Sequence, residues 1–160
     1  MSQTPDIKIR LFQPDDGEAF RTLNEAWITR LFALEDSDRK VLGDPQGMII
    51  ARGGQILMAI AGDEAVGAVA LQRVDETTLE LAKMTVSEAL RGTGLGRRLM
   101  EAAIAQAREM RAQKLYLESN TSLKPAISLY QAVGFRTLVP GEGGASPYAR
   151  CDIRMELSLN

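Results

Sequence analysis

Arg91-Gly92-Thr93-Gly94-Leu95-Gly96-Arg97 lies between two stretches of opposite character. Before it, Leu79 to Val86 is an apolar, strand-like run. After it, Gly94 to Ala112 has helical periodicity: Leu99, Met100, Ala103, Ile104, Ala107 and Met110 share one arc, and Arg98, Glu101, Arg108 and Glu109 the other. A strand, a glycine turn and a helix start in succession make an anion-binding device. The first backbone N–H groups of a helix have no internal partner, and the helix dipole places partial positive charge there. Glycine lets that backbone curl close to a phosphate with no Cβ in the way.

Composition narrows what the anion belongs to. The chain has 160 residues, 45% of them apolar and 25% charged, the balance of one ordinary globular domain spanning 1–160. A net charge of −2 disfavours broad electrostatic binding to nucleic acid or to an anionic membrane. No apolar run reaches the length of a membrane span, and Met1 to Asp6 has no signal-peptide core. The single cysteine, Cys151, fits a reducing cytoplasm. The chain has no histidine, which removes His-based triads and most transition-metal sites. No metal is expected; the chemistry falls to carboxylates, tyrosine and backbone.

Along the chain, Ile7, Ile9 and Leu11 alternate with charged residues as a first strand, and Pro14-Asp15-Asp16 caps a helix whose apolar face reads Phe20, Leu23, Trp27, Leu31 and Leu34. A short helix follows at Ser37 to Leu42. Ile56 to Ala61 and Ala65 to Leu71 flank Gly62-Asp63-Glu64 as a buried hairpin. Lys114 to Ser119 is a strand that runs parallel to Leu79–Val86 if the intervening helix crosses between them. Pro125 opens a last helix and Gly134 stops it. Phe135 to Val139 reads as strand, Pro140 to Ala149 as a Gly/Pro-rich loop, and Cys151 to Leu157 as a final alternating strand, with Cys151 facing the core.

Spacing decides among phosphate-binding loops. A dinucleotide fingerprint fails at its third glycine, where Arg97 stands, and no Gly-Lys-Ser or Gly-Lys-Thr of a Walker loop occurs. What fits is Arg91-x-x-Gly94-x-Gly96 directly after a strand carrying Met84-Thr85-Val86. This resembles the acyl-coenzyme A pyrophosphate loop of the GNAT superfamily of N-acetyltransferases, where the pattern is Arg or Gln, two residues, Gly, one residue, Gly or Ala. Two further pieces match in order, Leu115-Tyr116-Leu117-Glu118-Ser119-Asn120 and Leu129-Tyr130-x-x-x-Gly134-Phe135. The element order β-α-α-β-β-β-α-β-α-β-β is also that of the family. The resemblance implies an α+β, three-layer fold: a mixed, mostly antiparallel sheet with two splayed parallel central strands and helices on both faces.

The resemblance also implies roles. The backbone of Met84, Thr85 and Val86 would pair with the pantetheine arm of acetyl-coenzyme A, and a strand N–H at Met84 or Val86 would face the oxyanion. Amides of Arg91, Gly92, Thr93, Gly94, Leu95, Gly96 and Arg97 would hold the pyrophosphate; the Arg91 and Arg97 side chains read either as phosphate contacts or as solvated charge. Asn120 matches a position that hydrogen-bonds pantetheine or a helper water, and reads equally as a turn residue. Tyr130 stands where the family places the general acid for the departing thiolate, although its apolar helix face also suits a core tyrosine. A lysine-like amine needs about 4.6 kcal/mol to lose its proton at neutral pH, so a carboxylate acting through water is expected as base. Glu80 is one candidate and Glu118 another, with Glu118 also a possible buried counter-charge for Lys83.

Acceptor specificity in this fold is set by the first helices and by the loop before the last strand. Glu25, Trp27, Phe32, Glu35, Asp36, Asp38 and Tyr148 occupy them here. Acidic groups beside aromatics would suit a small cationic amine, whereas a solvated acidic face with Trp27 in the core is the competing reading. The expected activity is acetyl transfer from acetyl-coenzyme A to a primary amine of a small molecule or peptide, by direct attack in a ternary complex. Cys151 has no histidine to activate it as a nucleophile. A non-catalytic acyl-coenzyme A-binding module is the alternative, and an RNA- or ribosome-directed enzyme is disfavoured by the missing basic patch. Dimerisation is common in the superfamily, and the Cys151–Leu157 strand would offer an edge for a homodimer.

Overall fold

The computed structural model describes residues 6–139, 142 and 146–159; residues 1–5 and half of the expected 140–149 loop lie outside them. The strands are β1 (Ile7–Leu11), β2 (Gln55–Ala61), β3 (Glu64–Arg73), β4 (Thr78–Val86), β5 (Lys114–Ser119), β6 (Arg136–Thr137) and β7 (Ile153–Ser158). They form one sheet in the order β1-β2-β3-β4-β5-β7-β6. Helices α1 (Gly17–Leu31) and α2 (Asp36–Gly43) precede β2, α3 (Leu95–Glu109) joins β4 to β5, and α4 (Lys124–Val133) follows β5. Every pairing is antiparallel except β4 with β5, as expected for strands joined through a crossover helix.

Two apolar layers hold the sheet between helices. On one side Leu99, Met100, Ala103 and Ala107 of α3 pack with Leu79, Leu81, Leu115 and Leu117 of the parallel pair. On the other, Phe20 and Ile28 of α1 and Leu42 of α2 pack on Ile56, Met58, Ala68 and Ala70. The side chains opposite the helices alternate along each strand, as period-two geometry requires.

Four details depart from the sequence reading. Helix α1 buries Phe20, Asn24 and Ile28, not the stripe Phe20, Leu23, Trp27, Leu31, Leu34; Leu31 is 50% exposed. Asn24 is admitted to the core because its amide donates to the Phe20 carbonyl at 3.0 Å and its oxygen accepts from Trp27 Nε1 at 3.2 Å. The strand expected at Phe135 to Val139 shrinks to β6. The last strand starts at Ile153, so Cys151 is half-buried ahead of it rather than in a core-facing strand position. Finally, β7 lies between β5 and β6 and is not an edge open to a second copy; its register is fixed on both sides because Lys114–Ser119 and the β6 turn each pair with it.

Candidate active site

The parallel pair is joined only at its lower end. Its register runs from Thr78 opposite Lys114 to Leu81 opposite Leu117 and stops, while β4 continues to Val86 and β5 to Ser119. From Ala82 to Val86 the β4 backbone therefore has no strand partner on its β5 side. A bulge accompanies the parting. Ala70 pairs with Ala82 and Ala68 with Thr85, so Val69 faces two residues, Lys83 and Met84. Lys83 takes the left-handed conformation, φ 52°, which is costly for a side-chain-bearing residue. The bulge reverses the facing of the strand: Lys83 and Thr85 turn towards α1 and α2, with the Thr85 hydroxyl donating to the Leu23 carbonyl at 3.2 Å.

The gap opens into a cavity of about 450 Å³. Leu81–Val86 form one wall, Glu118–Asn120 another, and the start of α4 with Tyr130 a third. Trp27, Leu31 and Phe32 close it from the end of α1. This explains part of the misplaced stripe on α1: Trp27 and Leu31 line the cavity, and of the two only Trp27 also packs against the core.

Beside the cavity stands the glycine turn, reached through Arg91, which lines it. Gly92 and Gly94 have φ of 77° and 87°, and Gly94 is the N-cap of α3 with no side chain satisfying the first amides. Those amides and the helix dipole remain available to an anion. The Arg97 guanidinium donates to Glu101 at 2.9 Å in an exposed pair, while Thr93 donates to the Leu90 carbonyl at 2.6 Å. Met84, Thr85, Val86, Arg91, Asn120, Glu80 and Tyr130 thus all line one cavity; Gly92 to Arg97 do not, but continue from its Arg91 wall.

Tyr130 is 8% exposed and packs on Phe135 with the rings tilted by 59° and their centres 5.9 Å apart. Its hydroxyl has no hydrogen-bond partner among the described residues, yet no fully enclosed side-chain polar atom there lacks one, so the oxygen opens onto the cavity. Burial pushes the phenol up to about 12. Asn120 spends both ends within the protein: its amide donates to the Arg150 carbonyl at 2.7 Å and its oxygen accepts from Ser122 N–H at 2.9 Å. Burial, and then the charge of Glu118, push Glu80 up to about 7 against the opposing pull of Lys83. Glu118 accepts from the Tyr116 hydroxyl at 2.7 Å and from the Ser146 hydroxyl at 2.6 Å.

Glu118 is not the counter-charge of Lys83. That is Asp38, fully buried, whose Oδ1 accepts from Lys83 Nζ at 2.7 Å. Arg150 donates to both Asp38 oxygens at 2.7 Å and to Glu35 at 3.3 Å, and the Glu35 amide donates to Asp38 at 2.9 Å. The Tyr148 ring has Lys83 Nζ 4.6 Å and the Arg150 guanidinium 4.5 Å from its centre. Burial would raise Asp38, but the Arg150 and Lys83 hydrogen bonds outweigh it and hold the carboxyl down to about 2. The acidic residues expected to greet a cationic acceptor are therefore committed to internal pairs at Glu35 and Asp38. Arg150 was missed in the sequence, and Asp38 was named there only as an acceptor-facing acid and not as the partner of Lys83, because only tertiary packing brings α2, the bulge and the final loop together.

Comparison with known proteins bears on the family and the fold. Residues 12–135 match the model of the acetyltransferase (GNAT) family. The uncharacterized N-acetyltransferase YjgM of Escherichia coli (strain K12) is 41% identical over 76 residues, 48% of this chain, and that match spans 45% of its own length. Among solved structures, an acetyltransferase of the GNAT family from Staphylococcus aureus Mu50 superposes with a TM-score of 0.88 at 21% identity, over 97% of this chain and all of that one. YncA of Salmonella typhimurium, solved with its cofactor acetyl-CoA, superposes at 0.73 with 20% identity, covering 97% and 95% of the two chains. At such identities the two structures speak for the fold.

Proposed function

Because the chain belongs to the GNAT acetyltransferase family, we propose that it transfers the acetyl group of acetyl-coenzyme A to a primary amine of a small molecule or peptide, by direct attack in a ternary complex. One observation carries the reading: the unpartnered β4 backbone from Ala82 to Val86 runs along the cavity and leads to the open helix end at Gly94. An extended amide-bearing chain fits against such an edge as an added strand, and a diphosphate fits the amides from Gly92 to Arg97. The cofactor supplies an activated acyl group; the protein aligns it and handles protons.

Glu80 takes a proton from the incoming ammonium through water, leaving the neutral amine to attack. A base near 7 is well matched to neutral pH. A β4 N–H at Met84 or Val86 stabilises the developing oxyanion. Tyr130, kept protonated by burial, donates to the departing sulfur, whose own basicity rises in the same poorly solvated surroundings. Asn120 holds the final loop to β5 and keeps one amide hydrogen for the pantetheine arm. A single half-buried thiol fits a reducing cytoplasmic setting.

The test is thiol release from acetyl-coenzyme A over a panel of amino acids, polyamines, aminoglycosides and lysine peptides. One accepted amine, with turnover lost in Tyr130→Phe, supports the reading. Cofactor binding with no acceptor across the panel, and indifference to Tyr130→Phe, would favour a binding module instead.

A further inference from the structure

Glu80 and Glu118 stand on the two parallel strands, on the same face and two residues apart in register, since Glu80 pairs with Tyr116. Both line the cavity, yet their surroundings differ. Glu118 is held at both oxygens by hydroxyl donors, Tyr116 from its own strand and Ser146 from the loop ahead of β7. These bonds pin its negative charge in place. Glu80 makes no hydrogen bond to any described residue and sits beside that charge.

We infer that Glu118 is a positioning residue acting through Glu80: its anchored carboxylate, two residues away in register on the neighbouring strand and lining the same cavity, adds to burial in favouring a proton on Glu80, the carboxylate that receives the acceptor's proton. The other groups near Glu80 do not replace Glu118 in this role. Lys83, on the same strand, has the opposite sign, but its ammonium is engaged by Asp38 and by the Tyr148 hydroxyl. Tyr116 and Tyr148 are neutral phenols, both pushed up by burial. Arg30 from α1, Arg150 from the last loop and Tyr130 from α4 share the cavity; Arg150 is neutralised by Asp38 and Glu35.

The role in catalysis rests on the proposed function, but the charge coupling does not, and two readouts separate them. The first is a carbon-13 titration of the Glu80 carboxyl in the free protein, assigned with Glu80→Gln. In Glu118→Gln the Glu80 midpoint is expected to fall by about one unit, from the interaction of two charges separated diagonally across a strand pair. In Glu118→Asp, which keeps the charge, it is expected to stay near the parent value. A midpoint unmoved in Glu118→Gln, or lowered equally in both variants, overturns the inference. If Glu118→Gln does not fold, Glu118→Ala removes the same charge, and an unchanged Glu80 midpoint there overturns it equally. The second readout is the acid limb of kcat/KM. A limb that follows the Glu80 midpoint across these variants supports the catalytic half; a midpoint that moves without the limb removes Glu80 as the base while the coupling stands.

Discussion

The Lys83 ammonium meets the Asp38 carboxylate at 2.7 Å, although 45 residues separate them in the chain and both side chains are nearly or fully buried. The contact joins the β4 bulge to α2, and through Arg150 to the loop ahead of β7. Removing one partner of such a cluster leaves an uncompensated buried charge, a cost of about 3–5 kcal/mol. Asp38→Asn is expected to lose that much in urea denaturation, and Lys83→Met to lose less, since Arg150 still satisfies Asp38. Equal small losses in both would remove the cluster from the account.

The same carboxylate sets an acid limit. Asp38 is held down to about 2 in the fold against about 3.9 in an unfolded chain. The native state therefore binds fewer protons, and this contribution is complete above about pH 4 and lost as the pH falls towards 2. Denaturation followed across that window is expected to lose part of its slope in Asp38→Asn.

Glu80 acts with the opposite sign. Its carboxyl is raised to about 7 in the fold, so between its ordinary value near 4.5 and 7 the native state binds more protons than the unfolded one. Stability falls as the pH climbs through that window. In Glu80→Gln that part of the decline is expected to vanish from chemical denaturation; a decline of parental size in the variant would show that Glu80 does not titrate as described.

The two motif glycines of the turn are expected to respond differently. Gly94 has φ 87°, so alanine there is strained although nothing lies within 4 Å of the new Cβ; a loss of about 1–2 kcal/mol follows. Gly96 is inside α3, and its Cβ would meet Leu129 Cδ2 at 3.8 Å, an ordinary contact. Its replacement by alanine is expected to be neutral or to stabilise by up to about 1 kcal/mol through helix propensity. Thermal denaturation of the two variants distinguishes them.

Tyr130→Phe is expected to lower kcat by about a hundredfold or more, the worth of a positioned general acid, with cofactor affinity unchanged within about twofold. The Tyr130 hydroxyl makes no hydrogen bond to any described residue, so stability should hold. Stopped-time thiol assays and calorimetry measure the two quantities separately.

Much of the fold was legible because its signals are local. The glycine turn announces its own positive φ angles, and the crossover rule makes β5 parallel to β4. Met84 to Val86 and Arg91, which line the cavity, stand in or beside the same stretch. What stayed hidden was long-range. Nothing in Lys83 names Asp38 as its partner, and the period-two reading of β4 does not reveal a bulge that turns Lys83 away from the face parity would assign. On α1, periodicity cannot tell a residue buried by the core from one that lines a cavity, so Leu31, 50% exposed and lining the cavity, was read into the core stripe. Cys151 was read into a strand because alternation continued past the point where backbone pairing begins.

The central claim is that the parted strands and the glycine turn together hold acetyl-coenzyme A. A crystal structure grown with that compound tests it most directly. The account predicts the diphosphate against the amides of residues 92–97, the pantetheine arm along Ala82–Val86, and the sulfur within reach of the Tyr130 hydroxyl. A cofactor lodged elsewhere, or a gap between β4 and β5 that stays empty at saturating concentration, would contradict it.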